Sequence, residues 1–505
     1  MPVPSPRRTP ARSLAAGALV VAAVAAALRY PAFVEGGFVS HDVGGILYEA
    51  MVLRSGGLPY VDTVEMKAPL AFYLAALGLA GLGGHDITAF QRSAALLSVA
   101  VAAGFFVFAA ARLRAAGAAV ATVVFLLGAP FLDSMDANYV TWTMPLGFAA
   151  VAAALRGRAK ADLRWFAAAG ALACGSALAR RQGICAVPAV AWVAWTCGDR
   201  RLRAIAAAAA GGIAAFAPLL VHYAAAGAAG RLLAGYFLNP WGRAYVGRVP
   251  FDPVEAARAT AFFLAWPLSL LAVAAGRGGR PVGGAGTARG AMAVYFACAV
   301  LAAWVGGRFY KGYFLLAWPA AAYLAGDAWD RITAPGASRL RRLAALAVFV
   351  GLGVRQAAAW RAEAAGRSIS RDRVQRRIAA FIEARTGPGD RIWCWGWHLW
   401  DVYGLSGRLS ASRVYKGLGL LTDPNDDTWR RPQSRLRFVD GPAARIVLDD
   451  FARTPPAVVV LGSTVPHRSF RGLRRLLVEQ YRLDRTIRRG RLEIWVRRGQ
   501  PRGGP

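Results

Sequence analysis

Four acids and one lysine lie within a stretch of 31 residues, between two apolar segments. The stretch runs from Ser40 to Leu70, and the five residues are Asp42, Glu49, Asp62, Glu65 and Lys67. Ionisable groups next to a membrane are costly and mark function more often than they do on a soluble surface. A carboxylate can serve as a general base, and a lysine ammonium can hold an anionic leaving group. The alternative is an ordinary solvated loop.

The spacing within this stretch is more specific than its charge. After Asp42 come Gly57-Leu58-Pro59-Tyr60-Val61-Asp62 and Lys67-Ala68-Pro69-Leu70. The pattern resembles the first external loop of the GT-C glycosyltransferases, above all the family 39-type branch of bacterial aminoarabinose transferases and protein O-mannosyltransferases. That loop carries an acid, a Pro-Tyr-x-Asp and a Lys-Pro-Pro in this order. The chain departs from it at Ala68, where a proline is usual, and at Val43, where some members carry a second acid.

The resemblance implies transfer of a sugar from a polyprenyl-phosphate donor to an envelope acceptor, which could be a lipid, a glycan or a protein. Asp42 matches the catalytic acid, and Lys67 matches the lysine beside the lipid phosphate. A helix N-cap is the other reading of Asp42 and is compatible with catalysis. Asp62 would shape the loop or bind sugar hydroxyls, or would simply be a turn residue. Tyr60 is counted with the substrate-binding residues.

Further cations fall in loops on the same predicted side. Arg180 and Arg181 interrupt two apolar segments where the positive-inside rule disfavours them, which indicates function for at least one. Snorkelling to the headgroups is the alternative. Arg308 and Lys311 lie in a Gly-Gly-Arg-Phe-Tyr-Lys-Gly-Tyr-Phe run that resembles the family's Gly-Arg-x-x-His-Tyr-Phe. Lys311 stands where the histidine is expected and would substitute as the cation.

Asp133 and Asp136 lie in the second external loop, where family members often carry another acid, although a solvated loop is an equal reading. His41 is a lone histidine beside Asp42, and no His/Cys cluster suggests a metal site. Some GT-C enzymes use a divalent cation, but the branch resembled here generally does not. The sequence also has no phosphate-binding glycine loop. We therefore expect no cofactor.

The composition predicts a membrane protein. The 505 residues are 56% hydrophobic, and the mean hydropathy is +0.37, which is too apolar for a soluble protein of this length. The net charge of +33 arises from 61 basic and 28 acidic residues. The arginines cluster in short runs between apolar segments, so the expected counter-charge is anionic lipid and not nucleic acid. The five cysteines form no C-x-x-C pair, and neither a disulfide framework nor a zinc site is indicated.

Length and flanking arginines predict eleven transmembrane helices, with the amino end inside. They lie at about 13–30, 90–111, 117–132, 140–155, 165–179, 184–198, 204–223, 260–276, 290–305, 312–329 and 343–358. The first is a retained helix and not a signal peptide. Residues 69–83 are too short to cross and are predicted to be interfacial or re-entrant, a short tilted span being the alternative. A helix at 42–55 is predicted to lie at the interface.

The chain divides into a transmembrane GT-C domain at 1–358, with its first external loop at 31–89, and a small soluble α/β domain at 359–505. In this tail strands alternate with helices. Helices are expected at 371–386, 442–452 and 468–480, and strands at 391–395, 457–461, 483–488 and 491–497. We expect a multi-pass protein of the cytoplasmic (inner) membrane, with the catalytic loop and the carboxy-terminal domain extracytoplasmic.

Two other classes of function compete with the enzyme. A transporter or flippase would show inverted repeats or paired broken helices with charges at mid-membrane. The ionisable residues instead collect in external loops, which disfavours transport. A non-catalytic membrane scaffold with a partner-binding tail leaves the arrangement of Asp42 and Lys67 unexplained.

Overall fold

The computed structural model describes most of the chain. The described residues are 11–34, 41–81, 87–132, 136–246, 249–275, 285–334, 336–365, 373–396, 399–423, 436–487 and 492–499. Asp133 lies outside them, so its predicted role in the second loop has no structural counterpart here.

The described residues up to Ala365 fold mainly into helices. The α-helices are α1 (Ala11–Leu28), α2 (Tyr30–Val34), α3 (His41–Arg54), α4 (Leu70–Gly81), α5 (Ile87–Ala110), α6 (Ala115–Phe131), α7 (Tyr139–Lys160), α8 (Leu163–Ala179), α9 (Ala186–Trp195), α10 (Arg201–Ala225), α11 (Ala229–Leu233), α12 (Pro240–Val246), α13 (Pro253–Phe263), α14 (Ala265–Ala274), α15 (Ala285–Trp304), α16 (Trp318–Ile332) and α17 (Arg339–Ala365). Short 3₁₀-helices lie at Arg181–Cys185, Gly198–Arg200 and Lys311–Ala317, and a π-helix lies at Ala234–Leu238.

Among the described residues, four helices are long and apolar enough to cross a membrane. They are Ala89–Ala110, Gly198–Ala225, Gly286–Trp304 and Arg339–Ala362. The pair α13 and α14, bent by 86°, would make a fifth. The predicted count of eleven is therefore not confirmed. The predicted tenth span, 312–329, is divided into a 3₁₀-helix and α16, which has a proline in its first turn, where the missing N–H costs nothing.

Helix α4 (Leu70–Gly81) accounts for the described part of the segment 69–83, whose path is the main question of the topology. Its twelve residues rise about 18 Å, against roughly 30 Å of hydrocarbon. The described part of this helix is therefore too short for a straight crossing, and the interfacial or re-entrant path stays a prediction. The helix packs instead against α3, with Ala71, Phe72 and Ala75 fully buried.

Small residues let the central helices approach closely. A Cβ on Gly170 of α8 would lie 1.7 Å from the carbonyl oxygen of Ala208 in α10. A Cβ on Gly211 of α10 would lie 1.9 Å from the carbonyl oxygen of Ala167. Neither helix can carry a side chain at these points, as is typical of helix pairs in membranes.

Contacts between loops place several helix ends together in two separate sets. At one end, Asp330 accepts hydrogen bonds from the backbone N–H groups of Arg114 (2.7 Å) and Gly117 (3.0 Å), and Arg289 pairs with Asp327 at 2.7 Å. The other end gathers the loop after α3, the start of α7 and the residues that follow α8. The second set contains the predicted site.

The tail forms a small α/β domain. Its elements are α18 (Arg373–Glu383), β1 (Ile392–Trp395), α19 (Asp401–Ser406), β2 (Thr422–Asp423), β3 (Arg437–Phe438), α20 (Pro442–Arg453), β4 (Val458–Leu461), a 3₁₀-turn (His467–Ser469), α21 (Arg471–Gln480), β5 (Tyr481–Ile487) and β6 (Leu492–Arg497). The main sheet has the order β1-β4-β6-β5, with β1 and β4 parallel and the other pairs antiparallel. The longer strands and helices fall where the sequence predicts them, and β2 and β3 form an additional short hairpin.

Helix α3 completes this domain. Because strands present alternate residues to opposite faces, Trp393 and Val459 pack with α20 and α21, whereas Cys394 and Val460 pack with α18 and α19. Tyr48 and Val52 of α3 belong to the second cluster. The helix predicted at 42–55 is thus enclosed between α4 and the tail domain on nearly every side, instead of lying half-exposed on a membrane surface.

Candidate active site

Asp42 and Lys67 come together at the start of α3. The Lys67 Nζ lies 3.8 Å from Asp42 Oδ1, and both side chains are 34% exposed. Asp42 lies in the first turn of α3, where the helix dipole favours a negative charge. Because α3 already includes His41, Asp42 is a residue of the helix and not its N-cap. The predicted pair of opposite charges therefore exists, and solvent reaches both members.

The backbone of Lys67 is held on both sides. Its N–H donates to Glu65 Oε1 at 2.8 Å, and its carbonyl accepts from the Tyr60 hydroxyl at 2.5 Å. Tyr60 itself adopts φ +64°, an uncommon conformation for a residue other than glycine. The Lys67 ammonium lies 5.5 Å from the ring centroid of Tyr139, at the start of α7. The loop thus fixes the direction in which the lysine leaves the backbone.

Glu65 is the most highly connected carboxylate of the loop. It is 2% exposed, and its Oε1 accepts from the backbone N–H of Met66 at 2.6 Å. Two residues of the tail domain also donate to it, the Lys416 ammonium at 2.6 Å and the Tyr415 hydroxyl at 2.7 Å. Burial opposes ionisation, but the Lys416 charge and these hydrogen bonds outweigh it and lower the pKa of Glu65.

Glu49 is a second buried acid beside the first. Its Oε2 accepts from the Thr63 hydroxyl at 3.0 Å. Burial, and then the charge of Glu65, raise its pKa well above the ordinary value. One carboxyl of this pair is therefore ionised and the other favours its proton. Sequence reasoning gave neither glutamate a role.

Arg181 connects the loop to the π-helix Ala234–Leu238. Its guanidinium donates to the carbonyl oxygens of Met66 (2.5 Å), Gly235 (2.9 Å) and Tyr236 (2.8 Å). The last two lie in the π-helix Ala234–Leu238, where C-terminal carbonyls lack helical partners. These contacts give Arg181 a structural role, and its predicted contact with phosphate stays a prediction.

Arg180 and the segment around Lys311 are brought together. The Arg180 guanidinium lies 4.4 Å from the ring centroid of Tyr313, and its Nε donates to Gln182 at 3.0 Å. Lys311 opens the 3₁₀-helix that carries Tyr313. Arg308, just before it, is only 2% exposed. The two basic sequence motifs therefore share one end of the helix bundle, which sequence reasoning expected.

The two remaining predicted acids among the described residues, Asp136 and Asp62, lie at separate points of the loops. Asp136 is buried, and its Oδ1 accepts from the backbone N–H of Asn138 at 3.2 Å, just before α7. Asp62 accepts a hydrogen bond from the backbone N–H of Leu58 at 2.7 Å, and its predicted role stays a prediction. It also lines a cleft of about 550 Å³ between the end of α3 and the tail domain, opposite Arg413 and Arg453.

In the described part of the chain, no group of three or more His, Cys, Asp or Glu side chains is arranged to hold a metal ion. The expected independence from a metal stays a prediction.

Comparison with known proteins gives a match in structure only. No protein-family profile matches the chain, and no curated protein matches it. The crystal structure of ArnT from Cupriavidus metallidurans bound to undecaprenyl phosphate is similar at a TM-score of 0.60 and 16% identity, over 96% of this chain and 97% of that one. The apo structure of the same ArnT gives a TM-score of 0.61 and 15% identity, over 96% and 98%. The likeness shows that the chain shares the fold of these ArnT structures, as the predicted resemblance implies.

Proposed function

We propose that the protein is a glycosyltransferase that moves a hexose or pentose from a polyprenyl-phosphate donor to an envelope acceptor. One observation carries the proposal. A half-exposed carboxylate and ammonium, Asp42 and Lys67, lie 3.8 Å apart in a fold shared along 96% of the chain with a protein bound to undecaprenyl phosphate. General base and phosphate counter-charge are the two groups that such a transfer requires.

Asp42 is the base in this proposal. Its carboxylate takes the proton from the acceptor hydroxyl while the acceptor oxygen attacks the anomeric carbon of the donor sugar. The bond between that carbon and the phosphate oxygen breaks, and polyprenyl phosphate leaves with the electron pair. The proton ends on Asp42, and the added negative charge ends on the phosphate.

Lys67 stabilises the leaving phosphate, because its ammonium lies beside the base and its backbone is fixed on both sides. Arg180, Arg308 and Lys311 are the further cations we assign to the donor phosphate and sugar. Their clustering at the same end of the bundle supports this assignment. With four cations available, we propose that no divalent metal is required, so chelation by EDTA leaves the activity unchanged.

The acceptor and the donor sugar would meet above this pair. Asp62, whose carboxylate lines the cleft beside the tail domain, is our candidate for sugar hydroxyls, with Tyr60 holding Lys67 in place. Asp133 and Asp136 stay predictions as substrate contacts. We propose that this end of the bundle and the tail domain face outward from the inner membrane, since the donor's lipid is a membrane component.

The first experiment is envelope mass spectrometry of a deletion strain complemented with wild type, Asp42→Asn or Asp162→Asn. The control residue Asp162 caps α8 through the backbone N–H of Arg164, and asparagine caps equally well. We expect a sugar-sized mass that disappears on deletion and returns with wild type and the control. Loss of the base lowers the rate about 10²- to 10⁴-fold. Full restoration by Asp42→Asn would remove the base assignment.

A binding experiment tests the donor half of the proposal without knowledge of the sugar. Purified full-length protein in nanodiscs is titrated with undecaprenyl phosphate as the probe. We expect saturable binding that Lys67→Met weakens about tenfold or more, since a charge-assisted contact contributes about 1.5–3 kcal/mol. Equal binding by wild type and Lys67→Met would contradict the role of the lysine.

A further inference from the structure

The tail domain reaches into the loop that carries the reactive pair. Its segment 413–416 runs alongside Val64 and Glu65, and the carbonyl of Arg413 accepts from the backbone N–H of Val64 at 2.8 Å. Two consecutive side chains of this segment, Tyr415 and Lys416, end on the carboxylate of Glu65. Both are buried, at 0% and 8% exposure. The contact is therefore a dry junction between the two halves of the chain.

One oxygen atom joins this junction to the reactive lysine. Glu65 Oε1 accepts from the Lys416 ammonium at 2.6 Å and from the backbone N–H of Lys67 at 2.8 Å. Two hydrogen bonds thus separate a side chain of the tail domain from the backbone of Lys67. Loss of the Lys416 charge would leave Glu65 without its main counter-charge and weaken its hold on both N–H groups.

The same junction also touches the other member of the pair. The Tyr415 hydroxyl lies 3.4 Å from the carbonyl oxygen of Gly45, three residues beyond Asp42 in the first turns of α3. The ring of Tyr415 stacks on Tyr48, with 4.0 Å between centroids and 27° between planes. Tyr415 therefore fixes the helix that presents Asp42, and Lys416 fixes the loop that presents Lys67.

We propose that Lys416 and Tyr415 are positioning residues of the transfer reaction, which makes the tail domain part of the catalytic centre. The inference rests on the proposed function. Simple adhesion of the domain does not require a buried ion pair, because well-packed apolar residues at such a site are often as stabilising. An ionised carboxylate, however, can orient two backbone N–H groups at once, and an apolar contact cannot.

The test measures undecaprenyl phosphate binding to full-length protein in nanodiscs, for wild type, Lys416→Met and Tyr415→Phe. We expect Lys416→Met to weaken binding about tenfold. Tyr415→Phe keeps the stacked ring and loses only the hydroxyl, so we expect a smaller loss, of about threefold. Arg474→Met is the matched control. It breaks another ion pair of the tail domain, with Glu493 at 2.8 Å, and should leave binding unchanged.

A double-mutant cycle separates positioning from general damage. If Lys416 acts through Lys67, then Lys416→Met should change binding by less than about twofold once Lys67 is already methionine. Losses that multiply in the double variant, or a loss equal to that of Arg474→Met, would overturn the positioning role. If wild type itself does not bind undecaprenyl phosphate, the proposed function fails. If wild type and Lys416→Met bind equally, only this inference fails.

Discussion

Two lysine–carboxylate pairs lie side by side in the protein and differ in almost every physical respect. Asp42 and Lys67 are 3.8 Å apart, with 34% of each side chain exposed. Glu65 and Lys416 are hydrogen-bonded, with side-chain exposures of 0% and 9%. Only one residue separates Glu65 from Lys67 in sequence, yet one pair is open to solvent and the other is sealed.

Because the two pairs differ in exposure, they have different roles. An exposed ion pair contributes about 0–1 kcal/mol to stability. Asp42 and Lys67 can therefore break their contact and bind a substrate instead, at little cost in free energy. A buried charge cannot lose its partner without a large penalty, so Glu65 and Lys416 stay together. The loop therefore keeps its reactive charges loosely paired beside a junction that holds their backbones fixed.

Replacing the lysine of each pair by methionine should give the largest difference between the two pairs in the free energy of unfolding. Lys416→Met leaves the buried Glu65 carboxylate without its cation, and we expect a loss of about 3–5 kcal/mol in the unfolding free energy of the tail domain. Lys67→Met should cost less than about 1 kcal/mol. Amide hydrogen exchange of β1 and β4 in increasing urea measures both. Equal losses would show that the two pairs do not differ in the way proposed.

Gly44→Ala should disturb the contact between α3 and the tail domain without changing a residue of either ion pair. A Cβ at Gly44 would lie 2.0 Å from Asp401 Oδ1, so the tail domain must shift from α3, at an expected cost of about 1–3 kcal/mol. Gly78→Ala in α4 is the control, because nothing lies within 4 Å of its added Cβ. Protease cleavage between the domains reports the shift. A variant as resistant as the control would exclude the close contact at Gly44.

The buried acids should make stability depend on pH in two opposite ways. The pKa of Glu49 is raised from 4.5 in the folded protein. Its contribution to stability is therefore complete at low pH and is lost as pH rises through the pKa of the folded state. The lowered pKa of Glu65 has the reverse effect, with stability lost as pH falls through its folded value.

Glu49→Gln should therefore flatten the decline of stability above pH 4.5, where one proton changes the free energy by about 1.4 kcal/mol per pH unit at most. Urea unfolding between pH 5 and 8 would measure it, with the exposed Glu383→Gln as the control for charge. If stability falls with pH as steeply in Glu49→Gln as in wild type, the assignment of a proton to Glu49 is wrong.

Salt should have the smallest effect and should act on one pair alone. Raising the ionic strength from about 0.05 to 0.5 M screens the exposed Asp42–Lys67 pair, with an expected change below about 0.5 kcal/mol in stability. The buried pair should not respond. A comparison of the salt dependence of Lys67→Met and Lys416→Met checks this, since only the first variant should lose the response.

The sequence was informative where the signal is local. The order of elements in the tail follows from alternating apolar runs, and the meeting of Asp42 with Lys67 follows from a motif only 26 positions long. Lys416 lies 351 residues from Glu65, and no periodicity connects such distant positions. The burial of α3 on its second face was missed for the same reason, since the surface that covers it folds from the far end of the chain.

The predicted number of spans is not confirmed, and the reason is different. Hydropathy measures apolar length, and the predicted tenth span, 312–329, is divided between the 3₁₀-helix Lys311–Ala317 and α16. Arg181 also shows the limit of charge alone, because its charge does not predict that its guanidinium donates to three backbone carbonyls. Its contact with substrate stays a prediction.

The π-helix Ala234–Leu238 makes the anchoring of the loop sensitive to insertions and deletions. Its closing bond runs from Asn239 N–H to the Ala234 carbonyl, five residues back, so this turn holds one residue more than an α-helical turn. Removing any one residue from it would rotate the carbonyls of Gly235 and Tyr236 by about 100° away from Arg181. A one-residue deletion far from Lys67 in sequence would thus release its loop, although every charged side chain would still be present.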